Sequence, residues 1–120
     1  LTLENANELD SIGLDKVTGE VNLTIKDDVD WNDIQLHLSL LQEKINTYLS
    51  FIESGEIDSS YPKSINKRKK ITIYFKHQVC DEAIEFLTQA NQIVIDAGFG
   101  FECLEWNPTE TGTQWVRLFS

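Results

Sequence analysis

The chain has 120 residues, 41% of them apolar and 10% aromatic, which suits one domain, residues 1–120, around one core. Its 20 acidic and 10 basic residues leave a net charge of −10, a field that repels phosphate and argues against nucleic acid as a partner. The longest apolar runs are only a few residues, so no helix is expected to cross a bilayer.

The first ten residues carry three acids and no base, and are not expected to be a signal or transit peptide. The chain contains no Met, which implies a native start that was removed or lies upstream. Residues 1–9 are polar and expected to fray. Ser11 to Asp15 reads as a short strand, Lys16 to Gly19 as a turn. Glu20 to Lys26 alternates, with Val21, Leu23 and Ile25 on one face, so the two segments form a β-hairpin.

Asp30 is the expected N-cap of a long helix from Trp31 to about Ser54, with Asp33 at the third position and Gly55 as the stop. Trp31, Ile34, Leu38, Leu41, Ile45, Tyr48 and Ile52 recur at steps of 3 and 4. Leu36, Leu40, Thr47 and Phe51 form a second, smaller stripe. A surface helix has one apolar face, so this stripe needs a cover. The Glu56 to Asn66 loop or a second protein chain could supply it.

Lys69 to His77 alternates Ile71, Ile73 and Phe75 with polar residues and reads as a strand. Asp81 to Asp96 carries an apolar stripe of Ala83, Ile84, Leu87, Ala90, Ile93 and Val94, and Gly98 caps it. Phe99 to Trp106 is a strand, Asn107 to Gly112 a turn, and Gln114 to Phe119 a returning strand. The order ββαβαββ predicts an α+β fold, a mainly antiparallel sheet with two helices on one face.

The charge is unevenly distributed. Residues 1–60 hold 13 acids and 3 bases, whereas residues 61–120 hold 7 of each. Lys63 to Lys76 contains six bases and no acid; Asp81 to Glu110 contains seven acids and no base. The run Lys67-Arg68-Lys69-Lys70 is read as a solvated block on a sheet edge, where charge discourages strand addition. It could also pair with the acidic stretches.

Catalytic and metal-binding patterns are weak. Asp28, Asp30 and Asn32 match the first positions of a calcium loop, but Asp33 stands where Gly is needed and Ser39 where a bidentate Glu is needed. No metal and no cofactor is therefore expected. Cys80 precedes a helix and His77 lies close by, but no oxyanion loop or orienting arrangement accompanies them. His37 and His77, with Cys80 and Cys103, have no zinc-ligand spacing. The two cysteines read as free thiols of a reducing compartment, with one disulfide as the alternative.

Several segments together resemble a known family. They are Gly19-x-Val21-x-Leu23-x-Ile25, Asp30-Trp31, the run from His37 to Ile57 that includes Gln42-Glu43-Lys44-Ile45-Asn46, Tyr61-Pro62 and Ala97-Gly98-Phe99. The pattern is similar to a DUF6572-like family of small bacterial proteins of unknown function, over roughly residues 10–103. The resemblance implies a cytoplasmic bacterial domain and no established activity. It also implies a His near position 28, where this chain has Asp28, and a tail from Glu105 that is longer than the family norm.

Small size, lopsided acidity and absent catalytic apparatus favour a non-catalytic protein-binding domain, not an enzyme. Its most specific form is an immunity protein that covers a basic, nuclease-type toxin domain. The expected contacts are Asp27, Asp28, Asp30, Asp33, Glu82, Glu85, Glu102 and Glu105, with Trp106 or Trp115 as an aromatic anchor. The alternative is a homo-oligomeric structural or regulatory domain that pairs through Leu36, Leu40 and Phe51.

Overall fold

In a computed structural model, residues 10–109 and 112–118 are described. Five strands form one sheet in chain order: β1 (Ser11–Leu14), β2 (Val21–Asp27), β3 (Lys69–Phe75), β4 (Gly100–Thr109) and β5 (Gly112–Arg117). Three helices accompany it: α1 (Ile34–Glu53), α2 (Glu56–Ser60) and α3 (Asp81–Asp96). The expected fraying of residues 1–9, and the end of the last strand at Phe119, lie outside the described residues.

The sheet is mixed, which corrects the mainly antiparallel expectation. The outer pairs β1–β2 and β4–β5 are antiparallel, but β2–β3 and β3–β4 are parallel. The physical reason is the connection. A tight turn returns a strand antiparallel, whereas a helix laid across the sheet carries the chain back to the starting end and delivers a parallel neighbour. Both helix-containing connections, β2 to β3 and β3 to β4, do this.

The predicted element order also lacked α2. Glu56 to Asn66 is not a plain loop: Gly55, at φ 83°, ends α1 and opens α2, and a single 3-10 turn follows at Pro62–Ser64. Only a residue tolerant of the left-handed region can make that corner cheaply. Gly98, at φ 94°, turns the chain from α3 into β4, as expected, while Phe99 N–H donates to the Val94 carbonyl at 3.1 Å.

Helix α1 starts later than the periodicity suggests. Asp33, not Asp30, is the N-cap, and its Oδ1 accepts from Leu36 N–H at 3.2 Å. Asp30 Oδ1 instead accepts from Asn32 N–H at 3.0 Å in the preceding turn. Trp31 thus belongs to the connection, where its ring stacks on His37.

Strand alternation sets the core. Val21, Leu23, Ile25, Ile71, Ile73, Phe75 and Cys103 face the helices, and Leu41, Ile45, Tyr48, Leu87 and Val94 meet them in one buried cluster. Both long helices therefore cover the same face of the sheet, as predicted. Leu40 and Phe51 of the second α1 stripe pack against this cluster, whereas Leu36 is 56% exposed.

The basic run does not guard an edge. β3, which it opens, is the central strand, and the edges are β1 and β5. Part of the run is paired internally: Arg68 with Glu20 at 3.2 Å, Lys69 with Asp58 at 3.7 Å and Lys70 with Glu102 at 3.3 Å.

Candidate functional site

Three parallel strands end together. Asp27 of β2 lies beside Phe75 of β3, which lies beside Glu105 of β4. The connections into α1 and α3 leave the sheet from this carboxyl-terminal edge. Asp28, Asp30 and Asp33 lie on the first connection, and Glu82 and Glu85 lie near the start of α3. All five are exposed, so the fold gathers at one end of the molecule residues that are far apart in the chain.

The other predicted contacts are placed differently. Asp27 is 2% exposed and its carboxylate is committed within the protein. Oδ1 accepts from Val29 N–H at 3.0 Å, and Oδ2 pairs with His37 Nε2 at 2.5 Å, both side chains being fully buried. Glu105 Oε1 accepts from Val79 N–H at 3.0 Å and so ties β4 to the β3–α3 connection. Glu102 lies on the opposite, helix-free face, paired with Lys70 and, at 2.6 Å, with Arg117.

The Asp27–His37 pair is the support under the acidic edge. His37 Nδ1–H donates to the Asp30 carbonyl at 3.0 Å. A carbonyl can only accept, so that nitrogen carries a proton whatever the state of the other. Nε2 faces the Asp27 carboxylate. Trp31 stacks on the imidazole at a centroid distance of 3.7 Å, and its indole N–H is buried with no hydrogen-bond partner among the described residues. Strand end, connection and helix are thereby joined through one side chain.

The helix-free face holds a concavity of about 780 Å³, lined by Thr24, Lys26, Asp27, Asp28, Tyr74, Lys76, Trp106 and Trp115. The hairpin register sets Trp106 directly opposite Trp115. Trp115 meets Trp106 edge-on at 4.9 Å and Tyr74 at 5.1 Å, an arrangement that suits aromatic quadrupoles. Sequence reasoning named the two tryptophans but missed Tyr74, Lys26 and Lys76. The available signal was alternation: each lies one residue out of phase with its strand's apolar face.

The expected thiols are both free, Cys80 half-buried and Cys103 buried. Burial pushes the Cys103 thiol far above its ordinary range, and the Glu102 carboxylate adds to the shift. Among the described residues no group of three or more His, Cys, Asp or Glu side chains is placed to hold a metal ion. Among them, too, no helix is long and apolar enough to cross a membrane.

Fold and site together define an α+β domain whose mixed sheet is helix-covered on one face and, among the described residues, carries no helix on the other. The chain belongs to DUF6572, a family of unknown function whose model matches residues 1–107. Comparison with curated proteins and with solved structures gives no match.

Proposed function

We propose that this chain is a non-catalytic protein-binding domain that meets a cationic partner at the carboxyl-terminal edge of its sheet. The observation that carries this reading is the gathering of Asp28, Asp30, Asp33, Glu82 and Glu85, all exposed, at that edge. An acidic surface of this kind speeds encounter with a basic partner and repels acidic ones. The most specific form of the reading is an immunity protein that shields a basic, nuclease-type toxin domain in the bacterial cytoplasm.

The test is calorimetric titration with the protein encoded beside this chain's gene, at two salt concentrations. Tight binding that weakens with salt is expected. A variant combining Asp28→Asn, Asp30→Asn and Asp33→Asn should bind about tenfold to a hundredfold more weakly. Unchanged binding by that variant would exclude the acidic edge as the interface.

The exposure of Leu36 on α1 favours a second reading, a homo-oligomeric structural or regulatory domain. Leu40 and Phe51 already pack on the core, so Leu36 would carry most of such a contact. A monomer in light scattering at high concentration removes this reading.

A further inference from the structure

We infer that the outer edge of β5 is a self-association surface, where two copies of this chain join their sheets antiparallel about a two-fold axis through Trp115. β5 is the last strand of the sheet, and among the described residues no strand lies beyond it. Such an edge presents a row of unpaired N–H and C=O groups, and natural sheets guard it with Lys, Pro, a bulge or a very short strand. The opposite edge, β1, is only four residues long. β5 runs six residues in unbroken register with β4 and holds neither Lys nor Pro.

Hydrogen-bond parity says which groups are offered. Leu118 N–H donates to the Cys103 carbonyl at 2.8 Å. Bonding alternates along an antiparallel pair, so Val116 and Gln114 also turn their main-chain groups toward β4, and Arg117, Trp115 and Thr113 turn theirs outward. Pro108, which has no N–H, stands opposite Thr113, where this alternation asks for no bond. Outward residues must meet outward residues across a new pair. Of the symmetric registers, the one centred on Trp115 engages all three within the strand. Trp115 then faces its own copy and Thr113 faces the second copy's Arg117, each pair exchanging both main-chain bonds.

Two features favour a second copy as the occupant. In a chain of net charge −10, β5 carries one cation and no acid, so two copies can pair here without an acid on either paired strand. Trp115, at the centre, is 40% exposed although it packs edge-on against Trp106. Pairing sets the two Trp115 side chains opposite each other across the axis, and cross-strand aromatic pairs stabilise a sheet. The surface is separate from the acidic edge and from Leu36, so variants at each distinguish the three contacts.

The test is amide hydrogen exchange by NMR on the full chain, in dilute and in near-millimolar solution, with the mass followed by light scattering. A concentration-dependent dimer is expected. The Thr113, Trp115 and Arg117 amides should exchange fast in dilute solution and become protected in the dimer, while those of Gln114, Val116 and Leu118 are protected in both. Thr113→Pro removes an outward N–H without touching a bond to β4, and by symmetry does so twice. It should raise the dimer dissociation constant about tenfold to a hundredfold. Leu36→Ser should leave the dimer intact. A monomer in both solutions, a dimer lost in Leu36→Ser, or a dimer whose three outward amides stay fast would each overturn the inference. The wild-type exchange pattern decides the matter even if Thr113→Pro fails to fold.

Discussion

Replacing Asp27 separates two roles that its carboxylate combines. In Asp27→Ala, His37 Nε2 loses its partner in a fully buried position, and Val29 N–H loses its acceptor. Breaking a buried pair from one side costs about 3–5 kcal/mol. Against a total stability of about 5–15 kcal/mol for a domain, that removes a large fraction. Asp27→Asn should behave differently. Its carbonyl oxygen keeps the Val29 bond, and its amide can donate to Nε2, because the Asp30 carbonyl already holds the imidazole proton on Nδ1. The expected cost is about 1 kcal/mol, that of a weaker neutral hydrogen bond. Urea unfolding, followed by tryptophan fluorescence and circular dichroism, measures both. The stacked Trp31 makes fluorescence sensitive to the pair itself. Equal losses in the two variants would refute the reasoning, since they would mean that a full negative charge at position 27, not hydrogen-bond satisfaction, holds the connection.

Alkaline pH should destabilise the fold. Burial raises the Tyr48 phenol and the Cys103 thiol above their ordinary values. A raised folded-state value contributes stability that is complete below the unfolded values, about 8.5 for Cys and about 10 for Tyr, and is lost as pH rises beyond them. The urea midpoint should therefore fall above about pH 9, and less steeply in Tyr48→Phe. That variant should also cost about 1–3 kcal/mol in neutral solution, because the Tyr48 hydroxyl donates to the Thr24 carbonyl at 2.7 Å and accepts from Asp10 N–H at 2.8 Å. Thiol titration in native buffer should label Cys80, which is half-buried, and spare Cys103, at 0% exposure, until denaturant is added. Asp10→Ala should cost about 3–5 kcal/mol in the same unfolding assay by removing the carboxylate 3.0 Å from the buried Lys44 ammonium.

The regular elements were legible because their apolar periods are clean. α3 begins and ends where its stripe and Gly98 place it, and the apolar alternation of β2 and β3 marks the face that the helices cover. Pairing direction is less legible: the alternation of strand and helix makes the central pairs parallel, while the hairpins at either end point to antiparallel pairing. The start of α1 was misplaced for a different reason. Asp30 and Asp33 are equally good caps by type, and the choice is made by tertiary structure: Trp31 gains more by stacking on His37 than by extending the helix. The His37–Asp27 and Lys44–Asp10 pairs were invisible for a similar reason. A charged residue on a helix reads as solvent-facing until its partner, 10 or 34 positions away, is brought underneath it.

Those pairs change what the acidity of the chain means. The carboxylates fall into populations that a net charge cannot distinguish. The Asp10 and Asp27 carboxylates are buried against Lys44 and His37 and are not presented to solvent. Glu102 and Glu105 are partly buried and engaged by Lys70, Arg117 and the Val79 amide. Asp30 and Asp33 do two things at once: one oxygen holds a backbone N–H, while the exposed carboxylate still presents charge to solvent. Alanine at these two positions would remove cap and charge together and confuse folding with binding. Asparagine caps a helix about as well as aspartate but carries no charge. A loss of partner affinity in the asparagine variants, at unchanged stability, therefore isolates the electrostatic contribution of the edge. The same loss seen only in the alanine variants assigns it to the backbone those side chains hold.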